Sequence, residues 1–178
     1  MFEKFYPKVY YRSVYDIDFK SYYNNGFRAI LFDIDNTLVM HDAPLNEQAK
    51  MFIEELKGIG FKLCVVSNNS GPRVSTFAEA AGIPYVSKAK KPTSKGFVLA
   101  MERLGAGRKE TLAVGDQLFT DMWGANNSGI FSVLTKPIGK DPTIKIKLKR
   151  AGEKIVLAFY RIYAKKHPKE MFLKNRDA

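Results

Sequence analysis

Four short, almost unbroken apolar runs set the strongest limit on how this chain folds: Ala29 to Phe32, Lys62 to Val66, Thr111 to Val114 and Ile130 to Leu134. Strands that lack polar alternation are covered on both faces, the condition of a parallel sheet held between helices. A shorter fifth strand is predicted around Pro84 to Val86. Helical patterns fill the gaps. Ala49, Phe52, Ile53 and Leu56 share one helical stripe that Gly58 and Gly60 end, and Pro72 to Ala81 closes at Gly82 and Pro84. Ser94 to Leu104 stops at Gly105, and a short helix over Asp121 to Asn127 stops near Gly129. Alternating strands and helices predict a doubly wound α/β unit. The chain has 178 residues, 46% of them hydrophobic, which suits one domain with a sizeable core and excludes a disordered or fibrous protein.

A lone cysteine, Cys64, sits mid-strand, so neither a disulfide framework nor a thiolate metal site is available. It reads as a buried, inert thiol. The longest apolar candidate for a span, Ile155 to Tyr160, is broken by Arg161 and falls far short of a bilayer. Met1 to Lys8 interleaves acid and base, unlike a signal peptide. A soluble protein of the reducing cytoplasm is expected.

Charge is unevenly placed. Of the net +11, residues 136–178 carry thirteen Lys and Arg against four acids, whereas residues 1–135 carry sixteen against fourteen. From Pro142 onward basic and apolar residues alternate, then take on helical character over Ile155 to Ala164, predicting one or two basic amphipathic helices. Such a tail fits a partner rich in phosphate, either RNA or an anionic membrane surface approached peripherally, and fits equally a solvated helical face. The start of the chain is aromatic: Phe2, Phe5, Tyr6, Tyr10, Tyr11 and Tyr15 are read as packing on the sheet edge, with a homodimer interface as the alternative.

The ends of the apolar runs carry the chemistry. Asp33, Ile34, Asp35, Asn36 and Thr37 follow the first run, and ligands of open parallel sheets bind where strands end. Two acids at the end of a buried strand are costly unless a cation binds between them. Magnesium fits: a hard ion held by carboxylates, phosphate and water. Ser67, Asn68 and Asn69 follow the second run and suit hydrogen bonds to phosphoryl oxygens. Gly115 and Asp116, with Asp121 beyond, follow the third. Lys91, before Pro92, Thr93 and Ser94, stands near a helix start that favours anions.

In this order the set Asp33-x-Asp35-x-Thr37, Ser67, Lys91-Pro92 and Gly115-Asp116 with Asp121 resembles the four motifs of the haloacid dehalogenase (HAD) superfamily, over about Phe27 to Leu134. The form Phe32 to Leu38, with a Lys-Pro third motif, is similar to subclass IIIA and its YqeG-like proteins, relatives of mitochondrial phosphatidylglycerophosphate phosphatases. The resemblance implies a Rossmannoid three-layer αβα fold and a Mg2+-dependent phosphatase working through an aspartyl-phosphate. Asp33 would be the nucleophile and Asp35 the general acid and base. Ser67, the amide of Asn68 and Lys91 would hold phosphate. The metal would lie on Asp33, the backbone carbonyl of Asp35, Asp116 and Asp121, the last directly or through water. Thr37 would shape the loop by a side-chain hydrogen bond.

Asn36 and Asn69 read as turn residues, His41 as solvated with a base as the alternative, Trp123 as packed with substrate-stacking as the alternative, and Arg73, near the site edge, as a surface residue at a helix start with a contact to substrate as the alternative. The intervals Val39 to Leu63 and Asn68 to Lys91 are used up by predicted elements, leaving no room for a large cap. By analogy with the family, an open site suggests a phosphorylated substrate that is large or protrudes from a macromolecule, a nucleotide or a lipid head group such as that of phosphatidylglycerophosphate, with a phosphorylated small molecule still open. The whole of 1–178 is expected to be one domain: a core over about 27–135, an aromatic segment 1–26 and a basic extension 136–178. The competing reading is a nucleic-acid- or ribosome-associated binding protein whose phosphatase core is regulatory or vestigial. No RNA-binding signature supports it.

Overall fold

The computed structural model describes residues 2–139 and 144–167, the side chains of 144–147 excepted. In chain order its elements are β1 (Val9–Tyr11), α1 (Phe19–Asn24), β2 (Ala29–Phe32), α2 (Glu47–Ile59), β3 (Lys62–Val66), α3 (Gly71–Ala80) and β4 (Tyr85–Val86). They continue with α4 (Lys95–Leu104), β5 (Thr111–Gly115), α5 (Trp123–Asn127), β6 (Phe131–Thr135) and α6 (Ile144–Lys166). The strands form one six-stranded parallel sheet in the order β1-β6-β5-β2-β3-β4. This is the predicted α/β architecture.

All four residues of central β2 are buried. Side chains alternate between its faces, as the two-residue period of a strand requires. Ile30 and Phe32 pack with Leu63, Val65, Leu112 and Val114 against α1, α2 and α3, whereas Leu31 packs with Cys64, Val66 and Ala113 against α4 and α5. Helices on both faces make the three layers. Burial pushes the Cys64 thiol up to about 12, the inert state expected of it.

The helix ends follow their local chemistry. Asn46 Oδ1 accepts from Ala49 N at 2.8 Å to start α2, a cap worth about 1 kcal/mol. Gly60, at φ 110°, ends it in the left-handed region that favours glycine. No helix among the described residues is long and apolar enough to cross a membrane.

Two elements of the aromatic start have no counterpart in the sequence reading. β1 pairs with β6, Val9 opposite Val133, and α1 is capped by Asp18, whose Oδ1 accepts from Ser21 N at 3.0 Å. A three-residue strand shows no periodicity of its own and exists only through its distant partner. The rings do pack: Phe5 meets Trp123 edge-on at 5.1 Å, Tyr6 meets Tyr160 at 5.5 Å and Tyr15 meets Phe52 at 5.0 Å.

Among the described residues the tail forms one helix, α6, within the one or two expected. Val156 and Tyr160 of α6 are buried, Val156 in a cluster with Leu118, Met122 and Leu134. The predicted start at Pro142 and the chain beyond His167 lie outside the described residues.

Candidate active site

Adjacent central strands bring the motif residues together. The register sets Phe32 level with Val65 on one side and Val114 on the other, so Asp33, Ser67 and Asp116 all emerge at one edge of the sheet. Asp33 N still donates to Val114 O, at 3.0 Å. Asp33, Asp116 and Asp121 are grouped so that one carboxylate oxygen of each lies within 4.8 Å of the others.

Asp121 reaches this group from a single π-helical turn, Leu118–Met122, that precedes α5. The predicted helix began at Asp121; the wider turn starts earlier and folds the Asp121 carboxylate back so that its Oδ2 accepts from Gln117 N at 3.0 Å. Such turns recur at functional sites because they redirect one side chain without ending the helix. The fold also needs Gly115: a Cβ there would stand 2.5 Å from the Cγ of Asp121.

Lys91 is the hub. Its Nζ donates to Asp33 Oδ1 at 2.7 Å, to Asp121 Oδ1 at 2.5 Å and to Val66 O at 2.9 Å. The loop that presents it is clamped by Asn68, whose Oδ1 accepts from Lys91 N at 2.7 Å and whose Nδ2 donates to Lys91 O at 3.0 Å. Burial opposes the charge on Lys91, but Asp121 and Asp33 outweigh it and hold the ammonium above its ordinary value. Asp33 is pushed up to about 7, by burial first and by the nearby Asp121, against the attraction of Lys91. Burial likewise raises Asp116, against the pull of Arg150. Three buried carboxylates thus face two built-in cations, and their charge is incompletely balanced. An all-oxygen, net-negative donor set of this kind fits a hard divalent ion.

The Asp35 carboxylate does not join this trio. It accepts from Asp42 N at 2.8 Å, Asn69 Nδ2 at 2.5 Å and Arg73 Nη2 at 3.1 Å. Two sequence readings are corrected here. Arg73 is no surface residue: it also donates to Ala43 O at 2.7 Å, and its side chain is 17% exposed. Asn69 does more than turn the chain. Both partners lie far from Asp35 in sequence, and no local pattern marks them.

Thr37 Oγ1 reaches Asp116 Oδ1 at 3.5 Å, so its hydrogen bond spans two motifs, while Tyr15 Oη steadies the same loop by donating to Leu38 O at 2.6 Å. Ser67 is buried, with Oγ accepting from Asn69 N at 3.2 Å. Asn36 turns the chain at φ 63°, as expected, and its Oδ1 accepts from Gly139 N at 3.2 Å. His41 lines the cleft beside Asp42, and Trp123 is packed as expected. The cleft holds about 240 Å³ and is walled by Asp33, Asp35, Ser67, Lys91, Thr120 and Lys149. A larger hollow of about 580 Å³ lies at the opposite edge of the sheet, by Tyr6, Arg108 and Tyr160, away from these carboxylates.

The chain is matched among known proteins. A profile of haloacid dehalogenase-like hydrolases matches residues 39–129. The chain is 32% identical over 161 residues to the "Probable phosphatase YqeG" of Bacillus subtilis, covering 89% of this chain and 93% of that one. It is 28% identical to the "Phosphatidylglycerophosphate phosphatase 1, chloroplastic/mitochondrial" of Arabidopsis thaliana, covering 81% of this chain and 45% of that longer one. Among solved structures, the cobalt-bound deoxy-D-mannose-octulosonate 8-phosphate phosphatase of Haemophilus influenzae superposes with a TM-score of 0.51 at 15% identity, over 75% of this chain and 88% of that one. The chain therefore belongs to the haloacid dehalogenase-like hydrolase family, and its class of activity is that of a phosphatase. A phosphorylated substrate follows from that class.

Proposed function

We propose that the protein is a Mg2+-dependent phosphomonoesterase that works through an aspartyl-phosphate on Asp33. The observation that carries the reading is the Lys91 ammonium shared between Asp33 and Asp121, beside Asp116, at the carboxyl edge of the sheet. Asp33, the backbone carbonyl of Asp35, Asp116 and Asp121 would hold the ion, which lowers the repulsion between an anionic nucleophile and an anionic ester. Asp33 attacks phosphorus, and the leaving oxygen departs with a proton from Asp35. Ser67, the amide of Asn68 and Lys91 bear on the phosphoryl oxygens, where positioning and charge do most of the work. Asp35 then takes a proton from the water that hydrolyses the acyl phosphate. Its present partners are all N–H donors, which suits this base role; as an acid it must release one of them. The reading treats residues 1–178 as one domain. Phosphate release from an aryl phosphate should require Mg2+ and stop on chelation with EDTA. Turnover that persists in EDTA after exhaustive metal removal would reject the metal-dependent mechanism.

The favoured substrate is a phosphate on a lipid head group, met at the membrane from the cytoplasmic side. Two relatives are named for phosphatidylglycerophosphate, and the exposed side of α6 supports the same reading. Leu148, Ile155, Phe159 and Ile162 are 75, 60, 48 and 56% exposed, and at the helical period they fall within an arc of about 60°. Exposed Lys154, Arg161 and Lys165 lie together on one side of this stripe, Lys166 falls within its arc, and the one acid of the helix, Glu153, is buried. An apolar stripe with a basic border suits the surface of an anionic bilayer. Vesicles containing phosphatidylglycerol should sediment the protein, phosphatidylcholine vesicles should not, and Ile155→Glu with Ile162→Glu should weaken binding at least about tenfold. Unchanged sedimentation of that double variant would remove α6 as the docking face, and a dimer that only the double variant loses would assign the stripe to a second copy.

A further inference from the structure

Arg150 reaches the acidic cluster from α6. Its Nη1 donates to the Asp116 carbonyl at 2.6 Å and to Glu153 Oε2 at 3.0 Å, and its Nη2 donates to Asp116 Oδ2. Glu153 is itself buried, and its Oε1 accepts from Phe119 N at 3.3 Å, in the π-helical turn that carries Asp121. One guanidinium and its carboxylate partner thus tie α6 to the two segments that present Asp116 and Asp121. The helix is seated closely enough to do so: a Cβ on Gly152 would come within 3.2 Å of the Phe119 ring. The Arg150 side chain is 15% exposed and that of Asp116 is wholly buried.

A carboxylate whose backbone carbonyl and one oxygen are gripped by the same planar guanidinium has little freedom to rotate. The other oxygen, Oδ1, is the one that Thr37 Oγ1 approaches at 3.5 Å. We propose that Arg150 is a positioning residue: it locks the Asp116 carboxylate in the orientation that a divalent ion requires, so that α6 is a working part of the site and more than a basic appendage. This rests on the reading that Asp33, Asp116 and Asp121 hold such an ion.

The test is Mn2+ binding to the full-length protein, by calorimetry or by the loss of the free-ion spin-resonance signal, in wild type, Arg150→Met, Arg150→Lys and Glu153→Gln. Partners that orient a metal ligand typically contribute roughly 10–100-fold in affinity. Arg150→Met should weaken Mn2+ binding by that factor. Arg150→Lys should recover part of the loss, because an ammonium cannot reproduce the two-pronged grip, and Glu153→Gln should show a smaller weakening. The concentration of metal giving half activity should rise in Arg150→Met, while turnover at saturating metal approaches wild type. A purely structural role would lower turnover at every metal concentration.

If wild type binds no Mn2+, the reading of the carboxylate trio fails, and this proposal with it. If wild type binds and Arg150→Met binds equally well, only the positioning role is overturned. Tighter binding by Arg150→Met overturns it too and makes the guanidinium a competitor of the ion. Should Arg150→Met fail to fold, unchanged affinity in both Arg150→Lys and Glu153→Gln is the overturning result.

Discussion

Asp33→Asn is expected to reduce phosphate release by at least about 10³-fold, the scale of effect seen when a covalent nucleophile is removed. The substitution keeps the shape of the side chain and replaces a carboxylate oxygen by an amide that cannot form an acyl phosphate. It should leave the fold in place. Burial already disfavours the charge on Asp33, and Lys91 retains Asp121 at 2.5 Å and Val66 O at 2.9 Å. Melting in EDTA should therefore stay within a few degrees of wild type or rise, because a buried charge in a crowded acidic group has been removed. Residual turnover above about one percent of wild type in pure protein, with the melting point intact, would assign the nucleophile to another group.

Lys91→Met should act on stability as strongly as Asp33→Asn acts on turnover. Methionine fills much the same volume but leaves Asp33 and Asp121 buried with their shared cation gone. Removing one partner of a buried ion pair costs about 3–5 kcal/mol, which for a chain of this size lowers the melting temperature by roughly 10 °C. The loss should be largest in EDTA and shrink when Mg2+ is added, since a dication restores part of the missing positive charge. A melting temperature equal to wild type in EDTA would show that the two carboxylates are discharged without Lys91, and the electrostatic account of the site would be wrong. The two variants separate chemistry from assembly: one removes the proposed nucleophile from a formed site, the other removes the charge that lets the site form.

Much of the site was legible because each motif residue directly follows a strand or precedes a helix. Asp33 and Asp35 come after β2, Ser67 after β3 and Asp116 after β5; parallel strands that lie side by side carry such residues to one edge whatever the details of packing. Lys91 was legible for a related reason, since its place before α4 put it near the same edge. The partners of Asp35 were not. Arg73 and Asn69 lie 38 and 34 residues from it, Arg73 in the first turn of α3 and Asn69 just before that helix, where a hydrophilic residue ordinarily faces water. Their direction depends on how α3 is laid against the loop after β2. Arg150 was hidden in the same way among the lysines of a basic helix, and nothing in its neighbourhood sets it apart from them.

The sequence by itself determined the alternation of strands and helices, the parallel sheet and the order in which acids, hydroxyl and ammonium arrive at its edge. Those follow from local periodicity and from chain adjacency, which act over a few residues. Only the tertiary structure decided that Val9 to Tyr11 closes the sheet beside β6, that Arg73 and Asn69 grip Asp35, and that α6 brings Arg150 to Asp116. Each of these joins segments far apart in the chain, and no residue in either segment carries a preference that reveals the other until the core has set them face to face.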